Sequence, residues 1–260
     1  RPRVERLQRH GATLIEIKSG YGLEVDTELR MLEAIRQLDA LVAADLVATF
    51  LGAHLVPREY REDRDGYLDL VIEEMLPRIA ERGLADFVDV FCEEGAFSVA
   101  EARRVLVAAA ALGFKTKVHA EQLTRSGATA MACEVGATSA DHLDHIGEDD
   151  IRRLAMSSTV PVALPGATLF LGKGSYPPGR ALADAGLVPA ISTDYNPGSA
   201  HTANLTLMTT LACTQMGLTP AEALYGVTRA AAAALGRRDQ AGLLRVGLPA
   251  DLVLFDVPTH

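Results

Sequence analysis

Five ionisable side chains sit where apolar runs of the sequence end: His54, Glu93, His119, His142 and Asp194. Imidazole and carboxylate are suitable ligands for zinc or iron, and a catalytic ion keeps one coordination position open for water. Such an ion lowers the pKa of its water toward ~7 and so provides hydroxide at neutral pH. A lone histidine in such a place is more commonly a core side chain satisfied by a backbone carbonyl. Recurrence at the ends of successive runs is hard to obtain by chance and points to one shared site. His119 and Asp194 are the metal-ligand candidates. Two protein ligands fall short of the roughly three that a hydrolytic site uses, so the set is incomplete.

Residues placed this way need strands that end on one face. The runs Ala12–Lys18, Leu46–Val56, Phe87–Glu93, Phe114–Ala120, Thr138–His142, Val160–Leu164 and Val188–Asp194 read as short strands buried on both faces. Helical patterns alternate with them at Thr27–Leu41, Tyr67–Arg82, Ala100–Leu112, Ser126–Val135 and Asp149–Ala155. A later helix pair covers Leu205–Met216 and Pro220–Leu235, the second opened by Thr219 as N-cap with proline in the first turn. This alternation predicts an α/β fold of parallel strands with crossover helices. In a closed (β/α) barrel the strand C-termini converge on the face that carries the chemistry. An open doubly wound sheet is the other arrangement, but no GxGxxG follows the first strand, which counts against its dinucleotide-binding form.

The ends of the chain read differently. It opens Arg-Pro-Arg and enters an amphipathic segment and a strand almost at once, as expected where preceding residues are absent; a processed or engineered start is the competing reading. The stretch from Gly242 reads as a turn-rich β segment ending in Ala250–Asp256, and a lone strand there needs a partner sheet. We therefore expect a TIM-like barrel over residues 1–240, incomplete at its N-terminus, and a C-terminal strand of a small composite β domain over 241–260.

At 260 residues, 48% hydrophobic and 23% charged, the chain suits one large globular domain. A net charge of -9 argues against a nucleic-acid partner, which needs a basic face. Cys92, Cys133 and Cys213 form no CxxC pair and read as free thiols in a reducing cytoplasm. The longest apolar stretch, Leu41 to Val56, is interrupted by Asp45 and His54, so no membrane span is expected.

Several local motifs share one resemblance. Glu16-Ile17-Lys18-Ser19-Gly20-Tyr21-Gly22-Leu23, Thr49-Phe50-Leu51-Gly52-Ala53-His54 and Val88-Asp89-Val90-Phe91-Cys92-Glu93 are similar to stretches of the imidazolonepropionase family, metal-dependent amidohydrolases. So are Val118-His119-Ala120-Glu121-Gln122, Ser139-Ala140-Asp141-His142-Leu143 and Ser192-Thr193-Asp194-Tyr195-Asn196-Pro197-Gly198-Ser199. The Gly247-Leu248-Pro249-Ala250-Asp251 tail is shared widely among amidohydrolases and says little about substrate.

The resemblance implies hydrolysis of the cyclic amide 4-imidazolone-5-propanoate to N-formimidoyl-L-glutamate in histidine degradation, with one zinc or iron ion. His119 and Asp194 match two of the family's metal ligands; the other two are an upstream His-x-His pair, and no His-x-His occurs in this chain. A substrate-binding arginine that follows that pair is also outside this sequence. Tyr21 and His54 match substrate contacts, and Asn196, Gly198 and Ser199 match the loop that holds the carboxylate end, with His54 assisting. His142 matches a proton-transfer histidine, and Gln122, a carboxylate in some relatives, is expected to hydrogen-bond substrate. The general base stays open among His142, Asp194 and Glu121. Lys18 and Glu93 are expected to pair with each other, Asp141 to point away from His142, and His145 and His201 to be solvated or to stand behind the residues that touch the substrate or ion. Little metal affinity or activity is expected of this chain by itself. Relatives are often dimeric, so a homodimer is a further expectation. The rival functions are a cytosine- or guanine-type deaminase, a formiminoglutamate deiminase, or a non-catalytic binding domain on the same barrel.

Overall fold

The apolar runs become seven strands in a computed structural model that describes residues 1–172 and 175–256. They are β1 (Leu14–Lys18), β2 (Asp45–Ala53), β3 (Phe87–Cys92), β4 (Lys115–Ala120), β5 (Ser139–His142), β6 (Val160–Ala163) and β7 (Ala190–Ile191). Every neighbouring pair is parallel and the sheet follows chain order from β1 to β7. Parallel neighbours need crossovers, which helices provide. The sheet curls into a partial (β/α) barrel, and among the described residues no pairing joins β7 back to β1.

Helix α1 (Pro2–Arg9) leads into β1, and α2 (Val25–Asp39) crosses from β1 to β2. The next crossover runs from α3 (Arg64–Asp69) through a widened π segment, Leu70–Met75, into α4 (Leu76–Glu81). Pro77 explains the widening, because its ring displaces the carbonyl one turn back and offers no N–H. Then follow α5 (Val99–Ala111), α6 (Ala128–Val135) and α7 (Glu148–Ala155). The capping box of Ser98 with Glu101 starts α5, and that of Thr219 with Glu222 starts α11 (Pro220–Tyr225).

Two short helices between β6 and β7, α8 (Pro165–Leu171) and α9 (Gly179–Asp184), have too few turns to show a period and were not expected. Helix α8 packs on α10 (Leu205–Met216) because Gly166 lacks a side chain; a Cβ there would stand 2.9 Å from the Met208 sulfur. Helix α11 continues through a second π segment, Gly226–Ala230, into α12 (Ala231–Ala234).

The apolar core lies outside the sheet, between strands and helices, where Phe50, Tyr67, Leu68, Met75, Phe97, Leu106 and Met131 are fully buried. Inside the curl the alternation of each strand brings in polar side chains instead: Glu16 and Lys18, Thr49, Asp89, Lys117 and His119, Ser139 and Asp141.

One expectation is corrected, and the tail is described as it stands. β7 keeps only Ala190 and Ile191 of the expected Val188–Asp194, since it is an edge strand and Asp194 adopts a left-handed φ of 50°. Residues 241–256 form turns and extended chain, not a strand, because no sheet edge pairs with them among the described residues; positions 257–260 lie outside those residues. Leu244, Val246 and Leu254 are almost wholly exposed.

Candidate active site

The floor of the site is a buried charge network. Lys18 Nζ lies 2.6 Å from Asp89 Oδ2, 3.3 Å from Glu16 Oε1 and 3.4 Å from Asp141 Oδ2. Lys117 Nζ lies 3.3 Å from Glu16 Oε2 and 3.8 Å from Asp141 Oδ2. Burial by itself would lower the Lys18 pKa, yet the three carboxylates hold it well above its ordinary value. Lys18 therefore does not pair with Glu93 as expected. Glu93 instead accepts from Leu123 N at 2.8 Å, from Glu94 N at 3.0 Å and from the Thr124 hydroxyl, tying two loops of the mouth together.

Above the floor, five rings form a row that follows strand order. Tyr21 meets His54 at 5.5 Å between centroids, His54 meets Phe91 at 5.9 Å, Phe91 meets His119 at 5.6 Å, and His119 meets His142 at 5.2 Å. His119 Nδ1 is 3.1 Å from Asp89 Oδ2 but poorly aligned for donation, and both His119 Nδ1 and Asp89 Oδ1 are buried without a hydrogen-bond partner. Burial opposes charge on His119; the Asp89 carboxylate outweighs it and raises the pKa. Burial, and then the charge of His119, pushes His142 down to about 3. His142 is thus neutral at pH 7, and its Nδ1 is also buried and unpartnered.

A cavity of about 1480 Å³ collects Tyr21, His54, His119, Gln122, His142, Asp194, Asn196, Gly198 and Ser199, whereas Glu93 and Glu121 are not among the residues that line it. Drug-sized ligand pockets are typically about 300–1,000 Å³. Its lining extends to Leu14 and Ile15 of β1, Ala190 and Ile191 of β7, and Leu252 and Val253 of the tail.

The rim is built under backbone strain. Glu121, His142, Leu143 and Asp194 have φ of 50°, 85°, 68° and 50°. Each such non-glycine position costs roughly 1–2 kcal/mol and persists only where surrounding bonds enforce it. At Glu121 those bonds are visible. Its buried carboxylate accepts from Gly127 N at 2.8 Å, Thr129 N at 2.9 Å and the Thr129 hydroxyl, so it caps α6. That engagement removes Glu121 from the candidates for general base.

At Asp194, Asn196 Nδ2 donates to the Asp194 carbonyl at 2.6 Å and to Ser199 Oγ at 2.9 Å. Asn196 Oδ1 accepts from Gly198 N at 2.7 Å and Ser199 N at 2.8 Å, and Ser199 Oγ donates to Asp194 Oδ2 at 3.2 Å. The loop expected to offer donors to a carboxylate has turned them inward, and they fix Asp194. Burial raises the Asp194 pKa against the pull of His119 and Ser199. Asp141 bonds to Ser139 and Lys18, pointing away from His142 as expected. His201, exposed, bonds to the Pro197 carbonyl.

Sequence reasoning passed over Asp89, Lys117, Glu28 and Asp144. Charged residues inside otherwise apolar strands were the available signal for the first two. Asp144, just beyond β5, accepts from the Thr168 hydroxyl, and burial pushes its carboxyl up to about 6. Its unfolded value is about 3.9. Between those values the folded state binds more protons, so the favourable contribution is complete below pH ~4 and is lost as pH rises through 6, by about 3 kcal/mol. Asp144→Asn keeps an acceptor for Thr168 without the charge. We expect it to raise the melting temperature by about 6–10 °C at pH 8 and hardly at all at pH 4. Equal shifts at both pH values would reject this account.

As holders of a metal ion, His119 and Asp194 present an imidazole and a carboxylate to one cavity, which suits zinc or iron. Among the described residues no group of three His, Cys, Asp or Glu side chains is placed to hold an ion. The donors fit as part of a ligand set.

The partial parallel barrel carries imidazoles and a carboxylate at its strand ends, and the chain belongs to the amidohydrolase family, whose model matches residues 17–260. Imidazolonepropionase of Myxococcus xanthus is 49% identical over 259 residues, covering 100% of this chain and 61% of the relative. That of Alkaliphilus oremlandii is 46% identical over 255 residues, covering 98% and 60%. The chain thus spans about 60% of the length of these curated relatives. In fold it is similar to a zinc-bound adenosine deaminase of Xanthomonas campestris, with a TM-score of 0.70 and 18% identity over 95% of this chain and 58% of that one. It is also similar to an atrazine chlorohydrolase of Arthrobacter aurescens complexed with zinc, with a TM-score of 0.74 and 16% identity over 95% and 62%. At such identities the likeness concerns the fold. No helix among the described residues is long and apolar enough to cross a membrane.

Proposed function

We propose that the chain is the larger part of an imidazolonepropionase, which opens the ring of 4-imidazolone-5-propanoate by adding water across its cyclic amide. The supporting observation is the row of rings from Tyr21 to His142 beside Asp194 in one cavity, in a chain 49% identical to a relative of that name. His119 and Asp194 would hold one zinc or iron ion with ligands from a segment outside this sequence. When bound, that ion supplies Lewis acidity and an activated water. His142, neutral and strained toward the cavity, moves the proton at its free Nδ1. Gln122 and Tyr21 contact the ring. Asn196, Gly198 and Ser199 hold the Asp194 turn and receive the substrate carboxylate by exchanging bonds they now make within the loop.

Residues 1–240 serve as the barrel and 241–260 as a strand for a further sheet, where the exposed Leu244, Val246 and Leu254 would be covered by that sheet or a second copy. Free Cys92, Cys133 and Cys213 suit a reducing cytoplasm.

The test uses this chain joined to the upstream segment its relatives carry, supplied with zinc or iron. Loss of imidazolone absorbance with N-formimidoyl-L-glutamate formed and no ammonia released is expected. Ammonia release would transfer the assignment to a deaminase, and inertness of the loaded protein would leave a binding domain.

A further inference from the structure

Glu28, in the first turn of α2, is fully buried, and no cation pairs with it among the described residues. Its carboxylate is neutralised by backbone dipoles alone. Oε1 accepts from Gly20 N at 3.1 Å, Gly22 N at 2.8 Å and Leu23 N at 2.9 Å, and Oε2 accepts from Gly20 N at 2.9 Å. These bonds fold the loop after β1 into a knot that admits little else. Gly20 has φ +97°, and a Cβ there would meet the Leu51 carbonyl oxygen at 2.6 Å; Leu23 has φ 57°.

The knot carries two cavity residues. Tyr21 is one of its members and packs edge-on against His54. The Gly20 carbonyl faces His54 Nδ1 at 2.7 Å. A carbonyl oxygen only accepts, so Nδ1 must carry the proton, and in the neutral ring Nε2 is then a bare acceptor. Burial lowers the His54 pKa and favours that neutral ring.

We infer that Glu28 is a positioning residue: through the Gly20 carbonyl it fixes His54 as the Nδ1–H tautomer, leaving Nε2 to accept a hydrogen bond from a ring N–H of the substrate. This rests on the reading that the cavity takes a cyclic amide, and it assigns His54 to the ring and not to the carboxylate, which an unprotonated nitrogen repels. A buried carboxylate on four N–H contacts holds the carbonyl still, and the carbonyl orients the imidazole, as second-shell groups orient metal-binding histidines.

Long-range proton–nitrogen spectra of the present 260-residue chain with labelled histidine test this, with His54→Ala identifying the resonance. The unaltered chain should show His54 as a single Nδ1–H form at pH 7–8. Glu28→Gln, which keeps the volume but turns an amide donor on the backbone N–H groups, should shift most of the population to Nε2–H, as should Glu28→Ala. Should Glu28→Ala fail to fold, Glu28→Gln carries the test. A folded variant that retains the single Nδ1–H form overturns the proposal, even if its melting temperature has fallen. Because no substrate is present, this result stands apart from the hydrolysis assay, and failure of the assay alone would count against the cyclic-amide reading.

Discussion

Zinc titrated into this chain alone should bind weakly, and affinity should rise steeply when a segment bearing two further imidazoles is joined to it. His119 and Asp194 reach one cavity, but no third metal-binding side chain joins them among the described residues. Four-ligand structural zinc sites contribute about 10–16 kcal/mol. If the contribution scales with ligand number, half the set forfeits roughly 5–8 kcal/mol, a weakening on the order of 10⁴–10⁶-fold. Ligands brought by a further segment would have to enter the cavity that residues of both β1 and β7 line together with His119 and Asp194, and among the described residues neither outer edge of the sheet is paired. Calorimetric titration of the two proteins, with His119→Ala and Asp194→Ala abolishing residual binding in each, measures the difference. Stoichiometric tight binding by the 260-residue chain alone would show that its own side chains suffice.

The barrel was readable because its strands are short apolar runs bounded by polar residues and crossed by capped helices. β4 and α5 fall within a residue of their expected limits for that reason. The strand ends were readable too, since a histidine or carboxylate closing an apolar run is conspicuous. What lay between them was not. Lys117 and Asp89 read as single charged interruptions of strands, and only the register that sets Asp89 opposite Lys117 and Phe91 opposite His119 shows one network. Glu93 and Glu121 follow strands as the cavity residues do, yet Glu93 ties two loops together and Glu121 caps α6. Their partners are backbone N–H groups, which carry no sequence signature. Glu28 is the same case hidden in a helix. The tail differs again: Ala250–Asp256 has the pattern of a strand, but a strand forms only where another edge accepts its hydrogen bonds, and among the described residues none does.

In the assembled, metal-loaded protein, His142→Ala should lower kcat by about 10²–10⁴-fold, the usual contribution of a positioned acid–base group. Three features set His142 apart from a core histidine. It is buried with φ 85°, a backbone conformation that costs energy unless the position is enforced. Its Nδ1 has no partner among the described residues, although a buried polar atom left unpaired costs about 1–3 kcal/mol. Its ring stands 5.2 Å from that of His119 in the same cavity. A structural histidine would have satisfied its nitrogen; this one keeps it available.

Burial and His119 keep this histidine unprotonated at pH 7. It can take a proton only when negative charge develops beside it, so its effect should fall on kcat and leave KM within about threefold. Removing the neutral buried ring also removes its acid sensitivity, so the variant's melting temperature should fall less between pH 7 and pH 5 than that of the unaltered protein. A loss of activity that merely follows a lowered melting temperature would assign His142 to the framework, and unchanged kcat in a folded variant would remove it from the reaction.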